Sequence, residues 1–354
     1  MQTLSASLES LELRVIDPFA YADWNDSMLT TPRYSIFHTI NWLRVLQESY
    51  GYQPYYFASF NWNKLVVLLP FMEVKSWITG TRGVSLPFSD YCEPIIEDKD
   101  LISELFDQVI ATARQLRWKY IEMKGGDELF HSASPWICYY RHVLALNSNE
   151  DQIFSRLRSN YRLKIRKALK NDLKIRILGS SEALAEYYRL HCLTRKRHGL
   201  PPQPIIFFKK IYEHVISKNL GFVILVSNQG RNFAGAIFFH FGDRAIYKFG
   251  ASDMSYQHLH PNYLMFWSAI QWLCQNGYRE LCFGKTAPNN KGLIQFKDGW
   301  GTDKHQIIYY KYEVKTDSLV RNTKKTNESG HFIFKKMPIP LLRIMGSLLY
   351  RHVG

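Results

Sequence analysis

Two stretches of the chain repeat one pattern of apolar and polar positions. In the first, Pro54 to Phe60 and Lys64 to Glu73 are β-rich runs around the polar turn Asn61-Trp62-Asn63, which predicts a hairpin. A loop follows, then helical periodicity from Leu101 to Leu116, then a strand from Trp118 to Met123. In the second, Phe222 to Ser227 and Asn232 to Phe241 flank Asn228-Gln229-Gly230-Arg231, another hairpin. Arg244 to Phe249 adds a third strand after the turn Gly242-Asp243, and a helix over Asn262 to Asn276 leads to a strand from Arg279 to Phe283. The helix-to-strand joins match in kind: Gln115-Leu116-Arg117-Trp118-Lys119 against Gln275-Asn276-Gly277-Tyr278-Arg279.

A hairpin, a helix and a strand that returns to the same sheet make a mixed α/β layout. Its recurrence points to an internal duplication, and two cores suit 354 residues better than one, since single cores stop growing near ~250 residues. The predicted division is a first domain over 1–148, a second over 149–315 and a tail over 316–354. The polar break Leu146-Asn147-Ser148-Asn149 lies at the join.

The pattern from Asp151 to Lys170 predicts one helix, with Ile153, Phe154, Leu157, Tyr161, Ile165, Ala168 and Leu169 inward. Asn149 or Ser148 would cap it. In the tail, Arg321 to Gly330 reads as a polar linker. Pro338-Ile339-Pro340 then opens a helix with Leu341, Leu342, Met345, Leu348 and Leu349 on one face, flanked by Lys335, Lys336, Arg343 and Arg351. Such a basic amphipathic helix suits an anionic membrane surface; packing back onto the first domain is the other reading.

Charge adds a partner class. A formal net charge of +14 and a pI near 9.4 imply attraction to phosphates on RNA, nucleotides or lipid headgroups. Arg156, Arg158, Arg162, Lys164, Arg166, Lys167, Lys170, Lys174 and Arg176 crowd one stretch, and a second group runs from Arg321 through Lys324 and Lys325 to Arg351. Arg158 with Arg162, and Arg162 with Arg166, are like-charge pairs that repel at i,i+4 on a plain solvated face. A phosphate ligand removes that conflict, because guanidinium groups fork onto its oxygens. Candidate binders are therefore Arg158, Arg162, Arg166 and Lys167.

The five cysteines are scattered without a CxxC pair, and the twelve histidines show no HxxxH, so neither disulfides nor a metal site are expected. No run of roughly 18 uncharged apolar residues is present, and Met1 to Asp17 lacks the form of a secretory signal. The expected location is cytoplasmic, with any membrane contact peripheral at the inner face.

Four motifs appear in order along the chain: Phe37-His38-Thr39-Ile40-Asn41-Trp42-Leu43, then Leu86 to Tyr91, then Arg158 to Ala168. The fourth is Gly284-Lys285-Thr286, Asn289 to Leu293 and Phe296-Lys297-Asp298-Gly299-Trp300-Gly301. Together they resemble the FemXAB-like members of the GNAT acyltransferase superfamily. The resemblance implies tandem GNAT-like domains with acceptor and donor near their interface. The best-known members transfer an amino acid from aminoacyl-tRNA to the amine of a peptidoglycan precursor; others, near exopolysaccharide export systems, have no settled substrate. It implies here an N-acyltransferase acting on an amine of a phosphate-containing envelope precursor. Lys297, with Phe296 beside it, would stabilise the oxyanion that forms during acyl transfer.

Two departures stand out. Cys282 occupies a place where the family commonly has an acid, and Cys92-Glu93 replaces small residues. A catalytically silent phosphate- or lipid-binding scaffold is therefore the alternative function. Coenzyme-A-dependent relatives carry a Q/R-x-x-G-x-G/A turn whose backbone N–H groups hold pyrophosphate. Here it reads Gln257-His258-Leu259-His260-Pro261-Asn262, with both glycines replaced and one donor removed. Acetyl-CoA is thus not the expected donor; no resident cofactor is expected, and aminoacyl-tRNA or another acyl carrier would serve as co-substrate. Tyr256 and Asn262 are candidate contacts for donor or acceptor, against a chemically silent helix entry. Asp90 and Tyr91 are candidate binders facing the same cleft as the basic helix, against a turn after Pro87.

Overall fold

The computed structural model describes residues 12–62, 64–130, 133–321 and 331–353. Asn63 of the first turn, most of the expected linker (322–330, with Lys324 and Lys325) and the first 11 residues lie outside the described residues.

The first half runs β1 (Arg14–Ile16), α1 (Trp24–Leu29), α2 (Ile40–Tyr50), β2 (Gln53–Asn61), β3 (Lys64–Val74), β4 (Arg82–Val84), β5 (Ile95–Ile96), α3 (Ile102–Gln115), β6 (Tyr120–Lys124) and β7 (Ile137–Ala145). The second runs α4 (Glu150–Arg156), α5 (Ser159–Lys170), β8 (Lys174–Leu178), α6 (Ser181–Arg197), α7 (Ile205–His214), β9 (Gly221–Asn228), β10 (Arg231–Phe241), β11 (Arg244–Ser252), α8 (Pro261–Gln275), β12 (Glu280–Thr286), α9 (Lys291–Asp298), β13 (Asp303–Glu313) and β14 (Ser318–Leu319). The chain closes with α10 (His331–Lys336) and α11 (Ile339–Val353). Among the described residues no helix is long and apolar enough to cross a membrane.

The predicted mixed α/β fold is observed. Among the described residues the strands form one sheet in the order β1-β2-β3-β4-β6-β13-β7-β12-β11-β10-β9-β8, with β5 on β3 and β14 on β13. Pairing is antiparallel except at β4 with β6 and β11 with β12. Those exceptions are equivalent. In each half a hairpin and a third strand precede a helix, and the strand after the helix returns parallel to the third. Strand β13 wedges between β6 and β7 and so ties the later chain into the earlier sheet.

Strand β3 is buried along nearly its whole length, so both its faces must pack. Leu68 and Met72 enter one core while Val67, Leu69 and Phe71 enter another against α3. On β9 and β10 the split repeats. Val223, Leu225, Ile237 and Phe239 join the core that holds Leu68 and Met72, whereas Ile224, Val226 and Phe238 pack toward α8. One apolar core, which also takes Trp42 of α2, Tyr187 of α6 and Phe207 of α7, is therefore shared by both halves.

Two expectations need correction. The helix predicted from Asp151 to Lys170 is broken: Leu157 and Arg158 are extended (ψ 145° and 142°), and the Arg158 N–H donates to the Gly299 carbonyl at 3.0 Å. Burying Leu157 and reaching Gly299 outweigh one more turn of helix, and Leu169, expected inward, is exposed. Asn149 does cap α4, accepting from the Gln152 N–H at 3.0 Å. The tail helix packs back, and onto both halves. Leu342 and Gly346 are buried, and a Cβ on Gly346 would lie 2.0 Å from the Pro202 carbonyl oxygen. Its last carbonyls accept from buried Arg82 (His352 O, 2.9 Å) and Tyr52 (Arg351 O, 3.1 Å). Leu341 and Leu348, expected on the same face as Leu342, point outward.

Candidate active-site cavity

Strands β11 and β12 pair only over Arg244–Ile246 and Glu280–Cys282, although both continue further. The β12 register against β7 shifts between Cys282 and Lys285, and Gly284 there takes φ +69°, a left-handed conformation. A Cβ at Gly284 would stand 3.1 Å from the Tyr247 carbonyl oxygen and 3.3 Å from Asp90 Oδ1, so only glycine fits without displacement. The carboxylate of Asp90, from the loop after β4, sits at this opening. Its Oδ1 accepts from the Lys285 backbone N–H at 3.2 Å, its Oδ2 pairs with the Lys248 ammonium, and its carbonyl accepts from Tyr309 OH at 2.8 Å.

The loop that delivers Asp90 is strained. Leu86 and Phe88 have φ of 45° and 59°, each costing on the order of 1–3 kcal/mol. Buried lysines hold it: Lys124 Nζ donates to Leu86 O at 3.0 Å and Lys248 Nζ to Phe88 O at 2.6 Å.

Beside this loop, at the meeting of the two halves, lies a cavity of about 360 Å³. Lys124, Lys248 and Lys285 line it with Asp90 and Glu122; Trp136, Tyr139 and Tyr309 form an aromatic side, and Val353 at the end of α11 closes part of it. Lys285 Nζ donates to Tyr309 OH at 3.0 Å and lies 4.8 Å from the centre of the Tyr139 ring. Three ammonium groups this close disfavour one another. Burial, then Lys285, pushes Lys124 down to about 7; burial and then Lys248 also lower Lys285, though Asp90 opposes. Burial alone would raise the Asp90 carboxyl, but Lys248 and Lys285 outweigh it and hold it below the usual range. The cavity thus offers a fixed carboxylate, cationic donors and one amine that titrates near neutrality.

Lys297 lies in the last turn of α9 and is buried (3% exposed), behind the opening rather than in the cavity wall. Its ammonium donates to Gly284 O at 2.8 Å and Lys285 O at 3.4 Å, so it braces the bulge. Burial lowers it to about 8. Phe296 packs among Tyr161, Tyr263, Phe266 and Trp300. Cys282 is buried, and burial pushes its thiol up to about 12, so it remains protonated at neutral pH.

The structure does not bring all the candidate residues together. Arg158 lies exposed just before α5 and Arg166 and Lys167 exposed on it, and no residue of α5 lines the cavity that holds Asp90. Arg162 donates to Ser155 O at 3.2 Å, Arg166 lies over Phe154, and among the described residues no carboxylate stands within 4.0 Å of these four cations. Tyr91 is half-buried against Phe37, with Arg141 over its ring. Tyr256 stacks on Phe233, and Asn262 follows Pro261 in the first turn of α8. His260, where coenzyme-A enzymes have glycine, takes φ +58°. Glu48, Glu213 and His214 are the one metal-like grouping among the described residues, and they already hold the Lys210 ammonium at 2.6 and 2.7 Å from the two glutamates.

Lys124 and Lys248 escaped the sequence reading, and Lys285 entered it only within the motif Gly284-Lys285-Thr286, without a role. The signal they share is a lone lysine in or ending an apolar strand, where an ammonium is seldom buried without a task.

Residues 155–297 match the acetyltransferase (GNAT) domain. Among solved structures the chain is similar to FemX (TM-score 0.67, 14% identity), with 84% of this chain and 96% of that one covered. It is similar also to the C-terminal domain of a putative lysylphosphatidylglycerol synthetase from Agrobacterium fabrum (0.56, 12%, covering 81% and 90%). A third is a tandem GNAT protein from the clavulanic acid biosynthesis pathway (0.52, 10%, covering 86% and 99%). No curated protein matches the sequence. At these identities the likeness is one of fold, and the FemXAB-like GNAT resemblance drawn from the motifs is borne out at that level.

Proposed function

We propose that this protein, with its acetyltransferase (GNAT) domain match and FemX-like fold, is an N-acyltransferase that carries acyl or aminoacyl groups to an amine of a phosphate-bearing cell-envelope precursor, of the peptidoglycan or exopolysaccharide type. The observation that carries the reading is the opened β11–β12 junction, with Asp90 at its mouth, Lys297 behind it and a lysine-lined cavity beside it.

Amide formation requires a neutral amine, a sink for the proton it loses and a donor for the oxyanion on the acyl carbon. Cys282 cannot take the proton. Lys124, an amine near pH 7 on the cavity wall, can. Lys297 keeps a positive charge at neutral pH. Two of its three N–H bonds go to Gly284 and Lys285 carbonyls, which leaves one for the developing oxyanion. The nitrogen–carbon bond forms, the acyl–oxygen bond breaks, and the amine proton goes to Lys124, which hands it on to the leaving oxygen. The exposed α5 cations would hold phosphates of acceptor or tRNA. The His260 side chain, at a left-handed position where glycine would leave the backbone open, and Pro261, which lacks an N–H, argue against pyrophosphate of coenzyme A in that turn. Peripheral contact with an anionic membrane belongs to the same reading.

A silent scaffold is favoured by one observation, the protonated thiol at Cys282. Labelled aminoacyl-tRNA and labelled acetyl-CoA, each incubated with amine-bearing muropeptide precursors, separate the readings by mass spectrometry. Gain of an aminoacyl mass from charged tRNA supports transfer. Retention of a precursor with no mass gain from either donor supports the scaffold.

A further inference from the structure

The two carboxylates of the cavity differ in what they hold. Asp90 is fully engaged, by the Lys248 ammonium and by the Lys285 backbone N–H. Lys248 is engaged in return, by Asp90 and by the Phe88 carbonyl. Glu122 is not. Among the described residues no hydrogen bond or ion pair reaches its carboxylate, although it lines the cavity and its charge acts on both Lys124 and Lys285. Glu122 and Lys124 stand two residues apart on β6, so their side chains share the face that floors the cavity.

Lys285 is the open cation. It donates one N–H to Tyr309 OH at 3.0 Å and keeps two. Burial disfavours its charge and so does Lys248, and an anion beside it would offset both. Strands β13 and β7 lie between the strands of Glu122 and Lys285, and no ion pair joins the two side chains. Ring surface of Trp136 and Tyr139 lines the cavity with them. A ligand with only a negative end would meet the repulsion of Glu122, and one with only a positive end that of Lys285. A ligand that carries both, on separate carbons of a short apolar chain, satisfies the carboxylate and the ammonium together and covers the rings.

The geometry points to the cavity as a site for a zwitterionic aliphatic chain, its amine held by Glu122 and its carboxylate by Lys285. Resting on the acyl-transfer reading, this assigns the class of acceptor, an amine several bonds from a free carboxylate. The reactive nitrogen at Glu122 then lies beside Lys124, the group that takes its proton. Glu122 and Lys285 become the residues that select the acceptor.

Full-length protein is titrated calorimetrically, without any acyl donor, with 4-aminobutanoate and 6-aminohexanoate. Butanoate, hexanoate, butylamine and hexylamine are the single-ended controls. At least one amino acid should bind roughly tenfold tighter than the acid or the amine of its own length, since a hydrogen bond to a charged group is at stake at each end. Glu122→Gln keeps the side-chain volume and breaks no contact within the protein, so its circular dichroism and thermal midpoint should be unaltered. It should weaken the amino acids about tenfold, to the level of the acids, and leave the acids bound as before or tighter. Lys285→Met should bring the amino acids down to the level of the amines; if that variant misfolds, the ligand series and Glu122→Gln decide alone. Amino acids that bind no tighter than the single-ended compounds overturn the inference, as does equal binding of them by Glu122→Gln. Lys297→Ala should bind the amino acids normally. Loss of transfer with the binding series intact would therefore count against the catalytic reading only, and transfer with binding indifferent to Glu122 against this inference only.

Discussion

Replacing Lys124 by Met tests whether the cavity holds an amine that titrates near neutrality. Lys124 is 4% exposed, and its folded value of about 7 lies some three and a half pH units below the ordinary 10.5. At ~1.36 kcal/mol per unit, the fold disfavours the ammonium by roughly 5 kcal/mol. Below pH 7 the group is protonated in folded and unfolded chains alike, and the full penalty is present. Between pH 7 and 10.5 the unfolded chain holds a proton that the folded chain has lost, so stability rises with pH. Above 10.5 the penalty is gone. Methionine fills a similar volume and never carries the charge, but it gives up the bond to Leu86 O, at about 1 kcal/mol.

Urea unfolding of both proteins at pH 6 and pH 9.5 therefore has a defined outcome. The stability of Lys124→Met relative to the unaltered protein should fall by about 3 kcal/mol between the two pH values, with the same urea slope. A gap that stays constant within about 0.5 kcal/mol would show that Lys124 titrates as an ordinary lysine. It would also remove the residue as a base. If the reasoning holds, the transfer rate should rise through pH ~7 in the unaltered protein and lose that limb in the variant.

Three further outcomes follow from the same geometry. Arg162→Ala with Arg166→Ala should weaken binding of a phosphate-bearing precursor and flatten the salt dependence of its affinity; an unchanged slope would make the α5 face merely solvated. Calorimetry with acetyl-CoA should show no tight stoichiometric binding, and tight binding lost on altering Gln257 would refute the argument from His260 and Pro261. Gly284→Ala should cost about 1–2 kcal/mol in unfolding free energy for its left-handed backbone and reduce activity further by displacing Asp90, whereas an unaltered protein in both assays would deny the bulge its role.

The duplicated pattern was legible because hairpins and the helices behind them carry local signals. Lys64 to Glu73 alternates into two cores, and Asn228-Gln229-Gly230-Arg231 is a turn in its own right. Strand β13 was not, since nothing local tells Asp303–Glu313 to insert between β6 and β7, some 160 residues upstream or more. Helix α2 and helices α6 and α7 were passed over because they fill the core shared by both halves, a need that arises only once the halves meet. The site behaves likewise. Asp90 and Lys297 lay in motifs that could be read, but Lys248 comes to Asp90 from 158 residues away, and its role exists only in the folded chain. The break at Leu157-Arg158 was hidden for the same reason, because Gly299 supplies the partner.

The most direct test of the acyl-transfer account is a single-turnover measurement with charged tRNA and an amine-bearing envelope precursor, comparing the unaltered protein with Lys297→Ala. If the Lys297 ammonium stabilises charge that appears only in the transition state, its loss should slow transfer about 100-fold to 1,000-fold while acceptor affinity changes little. Lys297→Arg should recover little of that rate, because the bond to Gly284 O fits an ammonium in a closed space. Transfer at the unaltered rate by Lys297→Ala, with its fold intact, would contradict the account and return the protein to the scaffold reading.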